Sequence, residues 1–334
     1  MTKRKNRKEE RKRRLLFLIM LLLLTVAIGA TATYAWFTSN KTVTIEPMDV
    51  EVSAVNGLQI SVDAINWKAK ITKDELTGAD ATYGAAKNQL PDIFGAVSTS
   101  GSVSSGKLNM YYGTVTANET TGKYQLTTAA QTEEIDCTGT TNGCAGKYYA
   151  AFDIFLKVDQ NIEVFLDQVS NVVTTGSENR GVQNASRVAF VVEGHGDNGA
   201  DPSAIQGSMT GSAASIWEPN YNMHTASGCA NASSVYSITG CATDGTNNRF
   251  AYKGVNGVIS TPVAIDATDS DTHFSSVTVA YQSKGTPEGP QSFMTLQRGV
   301  TKIRVYWWIE GQDVDAENNA TGTQMQLKLS FSIN

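Results

Sequence analysis

Residues 323–334 read TQMQLKLSFSIN, and this stretch decides the fold class. Met325, Leu327, Leu329, Phe331 and Ile333 fall on one side of an extended chain, and Gln324, Gln326, Lys328, Ser330 and Ser332 on the other. A period of two is that of a strand with one face in a core and the other toward solvent. The alternation recurs upstream. Residues 301–310 set Ile303, Val305, Trp307 and Ile309 against Lys302, Arg304, Tyr306 and Trp308. Ala150, Phe152, Ile154, Leu156 and Val158 share a face, as do Val188, Phe190 and Val192. With 37 Thr, 29 Gly and only 18% charged residues, the composition favours strands and turns over long helices. No helical pattern alternates with the strands, which argues against a parallel βαβ architecture. The expected fold is all-β: an antiparallel, jelly-roll-like β-sandwich over 36–334. Residues 194–262, rich in Gly, Ser, Asn and Ala, read as long loops or an insertion on it.

Two local features are specific enough to test. Val50, Val52 and Ala54 share a face, as do Leu58, Ile60 and Val62, with Asn56-Gly57 between them. A three-residue loop would pair 54 with 58, 52 with 60 and 50 with 62, with Gly57 left-handed in a bulge. Thr72-Lys73-Asp74-Glu75 fits a capping box, and Gly78 leaves room for little more than one helical turn there.

Charge is unevenly placed. Residues 1–14 hold nine Lys or Arg against Glu9 and Glu10, while the whole chain carries a formal net charge of −5. Everything after the basic head is therefore acidic, which argues against nucleic acid as a partner. The head runs directly into LLFLIMLLLLTVAIGATATYAW, residues 15–36. A basic run abutting a Leu-rich run is the pattern of an export signal with its basic end in the cytoplasm, preceding an exported body. Small residues gather at its end, so cleavage after Ala35 would make Trp36 the mature N-terminus. The uncharged stretch is also long enough to span a bilayer as an uncleaved hydrophobic helix. Residues 1–35 are thus a signal peptide or a membrane anchor, and residues 36–334 are extracellular or at the cell surface.

The segment Ala32-Thr33-Tyr34-Ala35-Trp36-Phe37-Thr38-Ser39-Asn40 resembles the export signal of the TasA/camelysin group of Gram-positive surface proteins. The resemblance covers about ten residues. It implies processing by a signal peptidase, a secreted jelly-roll sandwich and a biofilm-matrix fibre. In such a fibre the freed N-terminal strand of one subunit completes the next. Here Trp36 to Glu46 suits that donor role, because Val43 and Ile45 alternate with Thr42, Thr44 and Glu46 and Pro47 sets the segment apart. Self-association is then the expected partnership. The alternative is a membrane-anchored surface module binding glycan or protein.

The resemblance also implies a metallopeptidase, but the residues do not support one. None of His195, His224 and His273 lies in HExxH, and no GxSxG occurs. No enzyme activity is expected. Gly194 to Gly199 matches GxGxxG, yet acidic Asp197 and Asp201 and the lack of a convincing helix make it a surface loop, not a nucleotide site. Of the four cysteines, proximity favours Cys137–Cys144 and Cys229–Cys241, and export permits both disulfides. Asp313, Asp315, Glu317 and Asn319 alternate as ligands do in calcium loops, so they read either as a calcium site or as a solvated acidic hairpin loop. Tyr111, Tyr112, Trp217, Trp307 and Trp308 are candidates for a sugar platform, Trp308 foremost because it lies opposite Ile303 and Val305.

Overall fold

The computed structural model describes residues 46–333 apart from 56, 82, 85–86, 122–123, 132, 138–143, 176–180, 222, 237–240, 242, 244–252, 265–269, 284–289 and 317–322. Ala35, Trp36 and the rest of the leader and donor segment up to residue 45 lie outside the described residues, as do Glu317 and Asn319. Among the described residues no helix is long and apolar enough to cross a membrane.

Among the described residues sixteen strands form the two main sheets, numbered here in chain order. The smaller sheet holds β1 (Glu46–Ala54), β3 (Lys70–Thr72), β8 (Ile162–Leu166), β9 (Asn171–Thr175), β14 (Gln291–Leu296) and β16 (Gln324–Ile333). Its order is β14-β8-β16-β1-β3, with β9 also on β16. The larger sheet holds β2 (Gln59–Ser61), β4 (Ala96–Ser98), β5 (Tyr111–Ala117), β6 (Tyr124–Ala130), β7 (Ala150–Val158), β10 (Ser186–Gly196), β11 (Ala214–Glu218), β12 (Ile259–Ala264), β13 (Val279–Gln282) and β15 (Gly299–Glu310). Its order is β12-β6-β5-β4-β15-β10-β11-β13, and β7 joins β15 to β2. Helices are short among the described residues: α1 (Lys73–Leu76), α2 (Pro202–Gln206), α3 (Ala226–Tyr236) and α4 (Ser270–His273).

The fold is all-β and sandwich-like, as the alternation predicts, but not purely antiparallel. β1 runs parallel to β16, β4 to β15, and β11 to β13. The core lies between the sheets. Val50, Val52, Leu327, Leu329 and Phe331 from one sheet meet Phe152, Ile154, Ile303, Val305 and Trp307 from the other. Removing this much aliphatic and aromatic surface from water is the main driving term, at about 1.5–3 kcal/mol for each large side chain.

The expected hairpin at Asn56-Gly57 does not form. β1 pairs with β16 and β3, whereas β2 pairs with β7 in the opposite sheet. Both runs have an apolar face, and the turn lets those faces meet across the core instead of side by side. Gly57 is left-handed as predicted, with φ +92°, and the Leu58 N–H closes the turn on the Val55 carbonyl at 3.4 Å. Pro47 does not set the N-terminal segment apart. It lies inside β1, at a register shift between Pro47 and Asp49. The capping box forms: the Thr72 N–H donates to Glu75 Oε2 at 2.8 Å.

A second departure is larger. Every residue of β15 is buried, including Lys302, Arg304, Tyr306 and Trp308 on the face read as polar. A second apolar cluster occupies that face: Ala189, Val191 and Ile216 lie beside Tyr306 and Trp308 in the same sheet, and Leu108 and Met110 from the segment before β5 join them. The central strands β7, β10 and β15 are thus buried on both faces over most of their length. Part of the Gly- and Ser-rich region belongs to the sheet itself: Gly194, His195 and Gly196 continue β10 against β15, and β11 pairs with β10.

Candidate functional site

Beyond β15 the chain turns tightly, and the described part of the acidic stretch that read as a calcium site or a solvated hairpin loop, Asp313 to Ala316, is buried. Asp313 and Asp315 are 7% and 1% exposed. Two short-range bonds set the turn: the Asp313 N–H donates to the Glu310 carbonyl, and the Asp315 N–H donates to Asp313 Oδ1 at 3.0 Å. The side chains then reach elements far away in sequence. Arg187 on β10 places Nη2 2.9 Å from Asp313 Oδ2 and Nε 2.9 Å from Glu218 Oε1 on β11. Asp315 Oδ1 accepts from the Thr225 N–H at 3.0 Å and the Thr225 hydroxyl at 2.6 Å. Its Oδ2 accepts from Asn184 Nδ2 at 3.1 Å and lies 3.2 Å from His224 Nδ1, which is also 3.8 Å from Asp313 Oδ1.

His224, Asp313 and Asp315 bring one ligand atom each to within 4.8 Å of one another, the arrangement a metal would use. The same oxygens also face protein donors. A carboxylate offers about four lone-pair positions, and for Asp315 all four face protein donors once His224 carries a proton on Nδ1. Asp313 gives one oxygen to Arg187 and the other to a backbone N–H. Of the four residues expected as calcium ligands, Asp313 and Asp315 are described and both bond protein donors here, while Glu317 and Asn319 lie outside the described residues. Burial pushes the Asp313 carboxyl up, and the charges of Arg187 and His224 pull it back only partly. Burial pushes the His224 imidazole down, but its hydrogen bond to Asp315 and the nearby Asp313 charge lift it above the ordinary histidine value. Sequence reasoning missed Arg187 and His224. They lie 126 and 91 positions from the aspartates they meet, and no local spacing marks them.

A second charged group lies on the face of β7 and β15 turned away from the core between the two sheets. Arg304 Nη1 binds Asp153 Oδ1 at 2.7 Å, and its Nη2 binds Glu134 Oε2 at 2.7 Å and the Lys87 carbonyl at 2.8 Å. Lys302 Nζ lies 3.2 Å from Asp153 Oδ2 and donates to the Gln206 and Ser208 carbonyls. The Tyr83 hydroxyl donates to Asp153 Oδ2 and the Tyr306 hydroxyl to Glu134 Oε1, each at 3.0 Å. Burial pushes the Asp153 carboxyl up, yet Arg304 and Lys302 together hold it below its ordinary value. Burial pushes the Tyr83, Tyr149 and Tyr306 phenols well up. These groups are locked to one another, the chemistry of a cross-brace.

The aromatic candidates divide. Trp217, Trp307 and Trp308 are fully enclosed. Trp308, the foremost candidate for a sugar platform, donates its indole N–H to buried Glu310 at 3.1 Å and faces no solvent. Tyr112 remains half-buried and stacks on Tyr148 with centroids 4.3 Å apart. Both expected disulfides are present, Cys137–Cys144 and Cys229–Cys241, with Cα atoms 5.5 Å and 5.3 Å apart. A cavity of about 200 Å³ opens beside α1, lined by Asn66, Lys68, Asp74, Glu75 and Asp80 among others. No family model, no curated protein and no solved structure matches the chain.

Proposed function

We propose that the protein is a secreted or cell-surface structural protein whose subunits associate by strand addition near the start of β1. One observation carries the assembly step. β16 pairs with the whole of β1, but β3 covers only Glu51–Ser53 on the other side, so among the described residues Glu46–Val50 has a strand on one edge only. The segment from Trp36 to Glu46 runs in sequence straight into that half-paired strand, as a donor segment for a neighbouring subunit should. Backbone pairing supplies affinity in such an addition, and alternate side chains supply register. The two disulfides suit an oxidising compartment. A sandwich with a buried network of paired charges around Arg304 and Asp153 suits a durable building block.

Deleting residues 36–45 tests this. Negative-stain microscopy should show filaments for the intact protein and none for the deletion, at an unchanged melting temperature. Filaments that survive the deletion refute strand addition. The second reading, a membrane-anchored binding module, rests on the cavity beside α1 and the half-exposed Tyr112–Tyr148 stack. N-terminal sequencing of the mature protein separates the two: an intact leader favours the module, and a chain beginning at Trp36 favours the fibre subunit.

A further inference from the structure

Tyr112 on β5 and Tyr148, just before β7, stack with ring centroids 4.3 Å apart and planes 18° from parallel. Both side chains are half-buried, so solvent reaches the pair. The backbone around them builds the stack. The Gly95 N–H donates to the Tyr148 carbonyl at 3.2 Å, and the Tyr148 ring rests on bare Gly95, where a Cβ would stand 2.9 Å from its Cδ1. Two residues on, Val97 of β4 pairs with Tyr112 and brings β5 alongside. On the other flank of Tyr112 the register places Ala129 of β6, a small, exposed residue that leaves the ring room to tilt.

Among the described residues one other tyrosine pair is stacked, Tyr149 with Tyr306 at 6.2 Å. That pair is enclosed and its hydroxyls are committed, Tyr149 to the Gln131 carbonyl and Tyr306 to Glu134 Oε1, each at 3.0 Å. All four cysteines are held in disulfides, so no thiol competes for an oxidant that reaches the open pair. We propose that Tyr112 and Tyr148 are a site of oxidative coupling, joined carbon to carbon as an intramolecular dityrosine by hydrogen peroxide that a haem peroxidase uses in one-electron steps. Each phenol gives up one electron and its hydroxyl proton, leaving a phenoxyl radical with spin on the ring carbons beside the oxygen. Stacked faces bring those carbons together, and the two unpaired electrons form one Cε–Cε bond. The hydrogens on the bonded carbons then move to the oxygens, which restores both aromatic rings. The pair loses two hydrogen atoms in all, and one hydrogen peroxide takes up the two protons and two electrons to become two waters. Holding the rings in contact turns an encounter between short-lived radicals into a step within one molecule. The new bond staples the β5–β6 arm to the start of β7, around a loop that already contains Cys137–Cys144. It does not rest on strand addition, because a crosslink inside one subunit serves a fibre and a surface module alike.

The test treats the full chain, dilute and in mild detergent, with hydrogen peroxide and a catalytic amount of peroxidase. The monomer should become lighter by two hydrogen atoms and gain blue dityrosine fluorescence, and peptide mapping should join Tyr112 to Tyr148. Tyr112→Phe and Tyr148→Phe each keep a stacking ring but lose the phenol, so either change should abolish that crosslink. Coupling mapped to Tyr149, Tyr306 or any other tyrosine in its place overturns the proposal, as does coupling only between chains. A monomer that keeps its mass while the same peroxidase couples free tyrosine also overturns it. If a phenylalanine variant melts early, the peptide map of the wild-type product decides by itself.

Discussion

Replacing Arg304 with Met removes the central cation of the outer charged group while keeping an unbranched side chain in its place. Arg304 is 2% exposed and bonds both Asp153 and Glu134 at 2.7 Å. Both carboxylates are as deeply buried as the arginine. Breaking a buried pair by deleting one partner leaves an uncompensated charge, at about 3–5 kcal/mol. Two remaining cations moderate this, Lys302 at 3.2 Å from Asp153 and Lys107 at 3.8 Å from Glu134. The expectation is therefore the lower end, about 3 kcal/mol, or a fall in Tm of roughly 6–12 °C. The pH dependence adds a signature. In the wild type the depressed Asp153 contributes stability above the unfolded carboxyl value and loses it as pH falls through the folded one. In the variant, burial without Arg304 favours the neutral acids, so the deficit should shrink between pH 7 and pH 5. Urea denaturation with the disulfides intact measures both. A loss below about 1 kcal/mol, the size of an exposed pair, or a deficit that grows on acidification, refutes the view that this face is desolvated.

The covalent and steric features give further outcomes. Converting Cys137 and Cys144, or Cys229 and Cys241, to serine opens loops of sequence separation 7 and 12; urea midpoints should report losses of about 2.5 and about 3 kcal/mol on the chain-entropy account. Gly254→Ala would put a Cβ 1.6 Å from the Thr99 carbonyl, so the ribbon of Lys253–Val255 with Phe274–Ser276 should detach. Gly57→Ala meets nothing within 4 Å and should cost only about 1 kcal/mol for its left-handed backbone. Thermal melts that rank these two glycines in the opposite order contradict the packing described.

Much of the scaffold is written locally. The TQMQLKLSFSIN alternation places Met325, Leu327, Leu329 and Phe331 in the core because strand geometry sends every second side chain the same way. The capping box at Thr72 and the left-handed Gly57 depend on residues within three positions of one another. The disulfide pairing reflects loop length. The outcome at Asn56-Gly57 was not legible, since two apolar faces can satisfy each other within one sheet or across two. Lys302, Arg304 and Trp308 read as an outer face for a related reason. Periodicity says which residues point together, and it is silent on whether a further layer covers them.

Sequence alone determined the strand content, the inward residues of the long strands, the disulfide partners and the division into a basic apolar head and an acidic body, all of which depend on neighbouring residues or on composition. Tertiary structure decided what each polar group meets. It set β1 parallel to β16, enclosed the charged face of β15, and carried His224 and Arg187 to the aspartates after it. The reason is physical: a buried charge must find a counter-charge or a donor wherever the fold supplies one, and for Asp313 and Asp315 the fold supplies Arg187, His224 and Thr225 from 90 or more positions away.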